Sequence, residues 1–201
     1  MTSLRLRTLD ALSDLPGAEW DALVEAEADR AMPFLRHAFL RALEECGCAT
    51  RRTGWRARHV TAWRGDRLVG AAPAYVRDRS DGDFGRDWDW AAAAERAGIG
   101  YYPKLAVTVP FTPATGRRLL VAAGEDRTAV AGALVDGLRG AADDDGCRSV
   151  HVLFPGSPST RAQWLMKDSR SRGGNAAIAA ASASVCCWKK ASRSSAWTSR
   201  S

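Results

Sequence analysis

Two extended runs joined by a tight turn constrain this chain more than any other feature. Trp55–Trp63 and Arg67–Val76 flank Arg64-Gly65-Asp66, a hairpin signal. A hairpin commits its strands to antiparallel pairing, whereas parallel strands need long crossovers. The second run contains LVGAAPAYV over 68–76, with Gly70 and Pro73 inside it. Proline donates nothing to a strand ladder, so it marks an edge, a bend or a bulge. Glycine in a strand marks a bulge or a close backbone approach.

The flanking segments give the rest of the order. Residues 4–9, LRLRTL, alternate as a strand. Pro16 in a first-turn position predicts a helix over Glu19–Ala28 with Trp20, Leu23 and Val24 on one face. Pro33 predicts a second helix over Phe34–Cys46, ended by Gly47, with Phe34, Leu35, Phe39, Leu40 and Leu43 as its apolar stripe. Arg77 to Asp83 reads as a charged surface loop, without the spacing of a calcium loop. Asp87–Ala97 reads as a short helix, Leu105–Val109 and Arg118–Ala122 as strands, and Asp126–Ala142 as a helix with Val130, Leu134, Val135 and Leu138 inward. Ser149–Phe154 is the last strand. Strand, two helices, an antiparallel run, a helix and a strand make a mixed α+β or mixed-sheet α/β chain rather than a doubly wound one.

Charge separates the tail from the rest. Of the 201 residues, 1–166 balance 22 bases against 22 acids, so the formal charge of +6 belongs to 167–201 alone. Any nucleic-acid contact is thereby confined to that tail. The tail is rich in serine, alanine and arginine, and no periodicity in it fits a buried face. Two domains are expected: 1–160, a folded unit, and 161–201, a low-complexity segment that is disordered or the product of a frame error in the coding sequence. Cys46, Cys48, Cys147, Cys186 and Cys187 lack metal spacing, and their odd number argues for reduced thiols. No run is long and apolar enough to span a membrane and no export signal is evident, so a cytoplasmic location is expected.

Residues 84–113 concentrate aromatic rings beside charges, either as a buried corner or as the wall of a cleft. Tyr102 is a candidate general acid, and Lys104 a candidate point charge for a carboxylate or phosphate. Equally, the tyrosines can cap the core while Lys104 snorkels. Tyr101, Trp88 and Trp90 are candidate substrate-binding rings, and burial against Ala91–Ala94 is the competing role for the tryptophans. Asp87 and Asp89 are candidate acceptors of an amine proton, although helix capping explains one of them. His37 reads as packed or solvent-facing, His59 as strand surface and His151 as structural.

AEWDAL (18–23), PFLRHAFLRALEECG (33–47), TGWRARHV (53–60), LVGAAPAYV (68–76), DWDWAAAAERAGIGYYPKLAVTVPFTPATGRRLL (87–120) and SVHVLFP (149–155) together resemble the FemAB-like N-acyltransferases of the GNAT superfamily, the peptidoglycan biosynthesis or recognition type. The resemblance runs from about residue 8 to about residue 155 and covers the N-terminal half of such proteins, so a truncated unit is expected. It differs in the Gly85-Arg86 insertion before the Trp-x-Trp segment. The resemblance implies a GNAT-like mixed, largely antiparallel sheet flanked by helices, and transfer of an acyl or aminoacyl group to a small-molecule or peptide amine. It implies acyl-CoA or aminoacyl-tRNA as donor and no metal. The Gly-rich pyrophosphate segment of ordinary GNAT enzymes is not found; Arg117-Arg118 and the Ala123-Gly124 turn are poor substitutes. The alternatives are a non-catalytic cell-wall or peptide recognition module, and RNA contact through the basic tail.

Overall fold

The computed structural model describes residues 3–26, 32–82, 84, 87–98 and 100–156, with the backbone of 178–181 and 184–188. Strands are β1 (Leu4–Leu9), β2 (Arg56–Ala57), β3 (His59–Arg64), β4 (Arg67–Ala72), β5 (Ala74–Arg77), β6 (Lys104–Val107), β7 (Leu120–Val121), β8 (Ser149–Leu153), β9 (Ile178–Ala181) and β10 (Ser184–Trp188). Helices are α1 (Gly17–Glu25), α2 (His37–Glu45), α3 (Trp88–Arg96) and α4 (Arg127–Asp144).

The hairpin forms as its turn residues require, but its strands serve two sheets. β3 and β4 pair antiparallel within a sheet ordered β1-β3-β4-β7. At Arg58 and Pro73 both strands break, and their outer halves, β2 and β5, pair in a second sheet ordered β2-β5-β6-β8-β10-β9. Proline explains the break, because Pro73 cannot donate to the ladder, while its carbonyl accepts the Thr108 amide at 3.1 Å. β5 and β6 are antiparallel, and β6 and β8 parallel, so this sheet is mixed.

Three layers follow from the burial pattern. α4 lies on one face, where Val130, Leu134, Val135 and Leu138 pack against Val60, Val69, Leu105 and Val152. α1 and α2 cover the other face of the first sheet, where Trp20, Leu23 and Leu40 meet Trp63, Leu68 and Leu120. Covering both faces explains why β4 is apolar from Leu68 to Ala72 rather than alternating. A register shift opposite Ala62 and Trp63 leaves Val69 as the extra residue of a bulge. Gly70 beside it is the close approach that a strand glycine predicts: a Cβ there would stand 2.6 Å from Val130 Cγ1.

Several expectations are corrected. The second helix is two elements, a 3-10 turn over Pro33–Leu35 and α2, because Arg36 between them is extended at ψ 141°. His59 is fully buried rather than on the strand surface. Its Nδ1 accepts the Ala74 amide at 3.1 Å, which places the ring proton on Nε2, 2.8 Å from Glu44 Oε1. Glu44 also accepts the Leu12 amide at 2.9 Å and the Tyr75 hydroxyl at 3.3 Å, so one carboxylate joins α2 to both sheets. Arg77 ends β5 fully buried instead of opening a surface loop. Its guanidinium lies 3.4 Å from the Trp55 ring centroid and donates to the carbonyls of Gly54 and Asp81. Burial of an arginine against a ring face and backbone carbonyls is what local pattern misses.

Within the tail, β10 pairs antiparallel with β8 and with β9. The other residues beyond 156, with the RNA contact named as an alternative for them, lie outside the described residues. The first helix closes at Ala26, before the expected end at Ala28, which is itself outside them. No helix among the described residues is long and apolar enough to cross a membrane.

Candidate active site

The aromatic stretch folds back on the second sheet and buries a polar network. β6 begins at Lys104, next to a cis Tyr102–Pro103 peptide. Asp87 stands at the N-cap position of α3, where a carboxylate is expected to bond helix amides, but it makes no such bond. It turns inward instead. Its Oδ2 accepts from Lys104 Nζ and, at 2.5 Å, from the Tyr101 hydroxyl. Lys104 also donates to Ser80 Oγ at 2.8 Å, and Ser80 shares a 2.6 Å hydrogen bond with the Tyr102 hydroxyl. Five side chains from the β5–α3 loop, the start of α3 and the start of β6 thus form one chain of hydrogen bonds.

The electrostatics are those of a buried ion pair. Lys104 is fully buried and Asp87 is 7% exposed. Burial alone would raise the Asp87 pKa. The Lys104 charge and hydrogen bond, with the hydroxyls of Ser80 and Tyr101, outweigh it and bring the pKa to about 2. The other oxygen, Oδ1, is buried without a hydrogen-bond partner among the described residues. From β8, His151 closes the floor, its ring 5.8 Å from that of Tyr101 and its Nε2 2.8 Å from Ser149 Oγ. Burial first, and then the Lys104 charge, push the His151 pKa down to about 3 against the weaker pull of Asp87, so the imidazole is neutral.

Above the network lies a cleft of about 520 Å³ lined by Trp88, Ala91, Ala92, Glu95, Gly100, Tyr101 and Tyr102. The structure brings Tyr101, Tyr102, Lys104 and Asp87 together, and sets Trp88 on the cleft wall. Trp90 is 56% exposed and does not line the cleft. Two positions along an α-helix is a rotation of about 200°, so Trp88 and Trp90 face opposite ways. Both tryptophans stand clear of the core, and Asp89 is likewise exposed. His37 is buried, its Nε2 2.9 Å from the Leu12 carbonyl. Ser80 is the member of the network that sequence reasoning missed; a serine within a charged, turn-rich segment carries no signal of burial.

The free amides of a helix start suit a pyrophosphate. At α4, which follows β7, the N-terminus is taken. Asp126 Oδ1 accepts the amides of Thr128 at 2.9 Å and Ala129 at 3.2 Å. Glu125 adds a second carboxylate, paired with Arg64 and Arg67. These residues do not fit a pyrophosphate. Arg118, from the neighbouring Arg-Arg pair, is fully buried and donates to the carbonyls of Leu153 and Ala114 at 2.9 and 2.6 Å. Burial lowers its pKa to about 10.

The FemAB-like family model, described as peptidoglycan biosynthesis/recognition, matches residues 11–173, past the composition change near residue 160. No curated protein matches the chain. Among solved structures, the chain is similar to a protein assigned to the GNAT acetyltransferase family from Desulfovibrio desulfuricans, with 12% identity and a TM-score of 0.51 over 92% of this chain and 97% of that one. It is also similar to the polyamine N-acetyltransferase of Drosophila melanogaster, at 15% identity and TM-score 0.47 over 92% and 98% of the two chains. A third is yncA of Salmonella typhimurium, solved with acetyl-CoA, at 14% identity and TM-score 0.47 over 96% of each chain. At such identities the likeness to the first of these is one of fold, a GNAT-type mixed sheet flanked by helices.

Proposed function

Because this chain belongs to the FemAB-like family of peptidoglycan biosynthesis/recognition, we propose that it serves N-acyl transfer, moving an acyl or aminoacyl group to an amine held in the cleft beside Tyr101 and Tyr102. The observation that carries this reading is the hydrogen-bonded line from the cleft wall inward, Tyr102 to Ser80 to Lys104 to Asp87. In such a transfer the amine nitrogen attacks the carbonyl carbon of an ester or thioester. A C–N bond forms, the C–O or C–S bond breaks, the ammonium proton must leave and the departing group must gain one. A phenol hydrogen-bonded to a serine hydroxyl can give a proton on one side while taking one on the other. Lys104 and Asp87 hold that pair in place. Lys104, being buried and already engaged, is a positioning residue in this reading, not an anion ligand. Tyr101 and Trp88 supply flat apolar walls for the acceptor. With α4 capped, the donor is not held through a pyrophosphate at that helix.

The capped helix and the internally paired lysine favour a second reading, a recognition module that binds a cell-wall peptide in the same cleft without turnover. One experiment separates the two. The purified chain is given muropeptide amines with either aminoacyl-tRNA or acyl-CoA, and both binding and product are measured. Catalysis predicts product from one donor, and a loss of about 10²-fold or more in kcat for Tyr102→Phe with binding retained. Binding that depends on Trp88, with no product from either donor, selects the recognition module. Absence of both binding and product rejects the cleft altogether.

A further inference from the structure

The cleft has a charged end that the hydrogen-bonded line from Tyr102 does not use. Trp88, Ala91, Ala92 and Glu95 line it from α3 at spacings of three, four and seven residues, so they form one stripe along the helix. The stripe is about 10 Å long at 1.5 Å per residue. Trp88 follows Asp87 and the buried network directly, so Glu95 marks the far end, with only small side chains between. Gly100 belongs to the lining supplied by the segment before β6. A Cβ there would stand 3.2 Å from Arg148 Nε and 3.7 Å from its Cζ, so the guanidinium lies against this glycine. The Arg148 backbone is fixed as well, its amide donating to the Pro103 carbonyl at 2.7 Å. Glu95 and Arg148 are both exposed, and neither side chain makes a hydrogen bond or ion pair among the described residues. The charges beneath the cleft, Lys104 and Asp87, compensate each other. Arg96 lies about 100° round the helix from Glu95 and is not part of the lining.

We infer that the molecule bound in this cleft carries a free carboxylate besides its amine, as an amino acid or the carboxyl end of a peptide does, and that Arg148 selects it. The inference rests on the reading of the cleft as the acceptor site. A guanidinium presents paired N–H donors in the plane that a carboxylate accepts, and the charge on both partners strengthens those bonds. A carboxamide of the same shape keeps the hydrogen-bonding oxygen and loses the charge. Glu95 supplies the opposite sign. An amine arrives as an ammonium near neutral pH, and Glu95 offsets the repulsion that Arg148 alone would impose on it. The same carboxylate repels a dianion, so a phosphate monoester suits this pair of charges less well than a carboxylate does. Arg148 and Glu95 are specificity residues in this scheme, and the proton transfers stay with Tyr102.

The test reads binding, so it does not depend on turnover. The full chain is titrated calorimetrically at low salt with the dipeptide alanyl-lysine, with its C-terminal carboxamide and with alanyl-phosphoserine. Alanyl-lysine is expected to bind about tenfold more tightly than the carboxamide, and the difference should shrink as salt is added. Arg148→Gln should bring the acid down to the affinity of the carboxamide and leave the carboxamide unchanged, which a general loss of structure would not do. Glu95→Gln should narrow the preference for alanyl-lysine over alanyl-phosphoserine. Equal affinity for acid and carboxamide overturns the inference, as does an Arg148→Gln variant that weakens both alike. Binding of neither dipeptide overturns it too. If amines without a carboxylate are then still acylated in a Tyr102-dependent way, the reading of the cleft stands and the carboxylate selection alone has failed; if none is acylated or bound, both have failed.

Discussion

Lys104→Met removes the cation of the buried pair and leaves its carboxylate in place. Asp87 is 7% exposed, one of its oxygens has no partner among the described residues, and the other would keep only hydroxyl contacts. Breaking a buried pair from one side costs about 3–5 kcal/mol, because an uncompensated charge stays behind. The pKa of Asp87 gives an independent scale. At about 2 against an ordinary 3.8, its depression corresponds to roughly 2 kcal/mol for that group alone. The sign follows from the direction of the shift. A carboxylate held below its unfolded pKa stabilises the fold above that value, and the contribution is lost as pH falls through the folded pKa. Without Lys104, burial dominates and raises the Asp87 pKa, so the deficit of the variant shrinks as the medium is acidified. Urea unfolding followed by tryptophan fluorescence, near neutral pH and at about pH 4, reads both effects. Adding Asp87→Asn removes the stranded charge and is expected to restore at least about 1 kcal/mol. A cost under about 0.5 kcal/mol for Lys104→Met, or strict additivity of the two substitutions, refutes the buried-pair reasoning.

Gly70→Val places side-chain atoms where Val130 already stands, and costs about 1–3 kcal/mol or more in urea unfolding. His151, neutral in the fold down to about pH 3 but protonating near 6.5 once unfolded, contributes stability that is complete above about 6.5 and lost as pH falls toward 3. A series of urea titrations across that window should show a shallower slope for His151→Phe. Trp88→Ala and Trp90→Ala, both at exposed positions, should each leave stability within about 0.5 kcal/mol. Calorimetry with a muropeptide should then show lost affinity for Trp88→Ala and little change for Trp90→Ala, since only Trp88 lines the cleft.

How far the fold was legible depended on how local its causes are. The turn at Gly65 and the four inward positions of α4 rest on neighbours within a few residues, and each reads directly from the chain. The division of the hairpin between two sheets does not. Pro73 announces a break, but which sheet receives β5 is decided by β6, some thirty residues on. Burial of polar groups is the least legible. His59 is interior because Glu44, on another helix, reaches it, and Arg77 because Trp55 offers a ring face. Within the candidate site, aromatic density located Tyr101, Tyr102 and Lys104. Ser80 carried no such mark, and the opposed faces of Trp88 and Trp90 appear only once the helix between them is fixed.

The start of α4 gives the sharpest test of whether a pyrophosphate-bearing donor can sit on this fold. An acid at a helix N-cap is stabilising in itself, worth about 1 kcal/mol over alanine, and consumes the amides that a phosphate would use. Here Asp126 takes two of them, and Glu125 beside it is fixed by Arg64 and Arg67. An approaching pyrophosphate would meet negative charge and occupied donors together. Calorimetry should therefore detect no coenzyme A binding by the unaltered chain at ligand concentrations where acetyl-CoA-dependent enzymes saturate. Asp126→Ala should lose about 1 kcal/mol of stability and, with Glu125→Ala, gain affinity for pyrophosphate that falls with salt. Coenzyme A binding by the unaltered chain that neither substitution strengthens would show that a donor of this class is held elsewhere. The capped helix would then carry no information about the reaction.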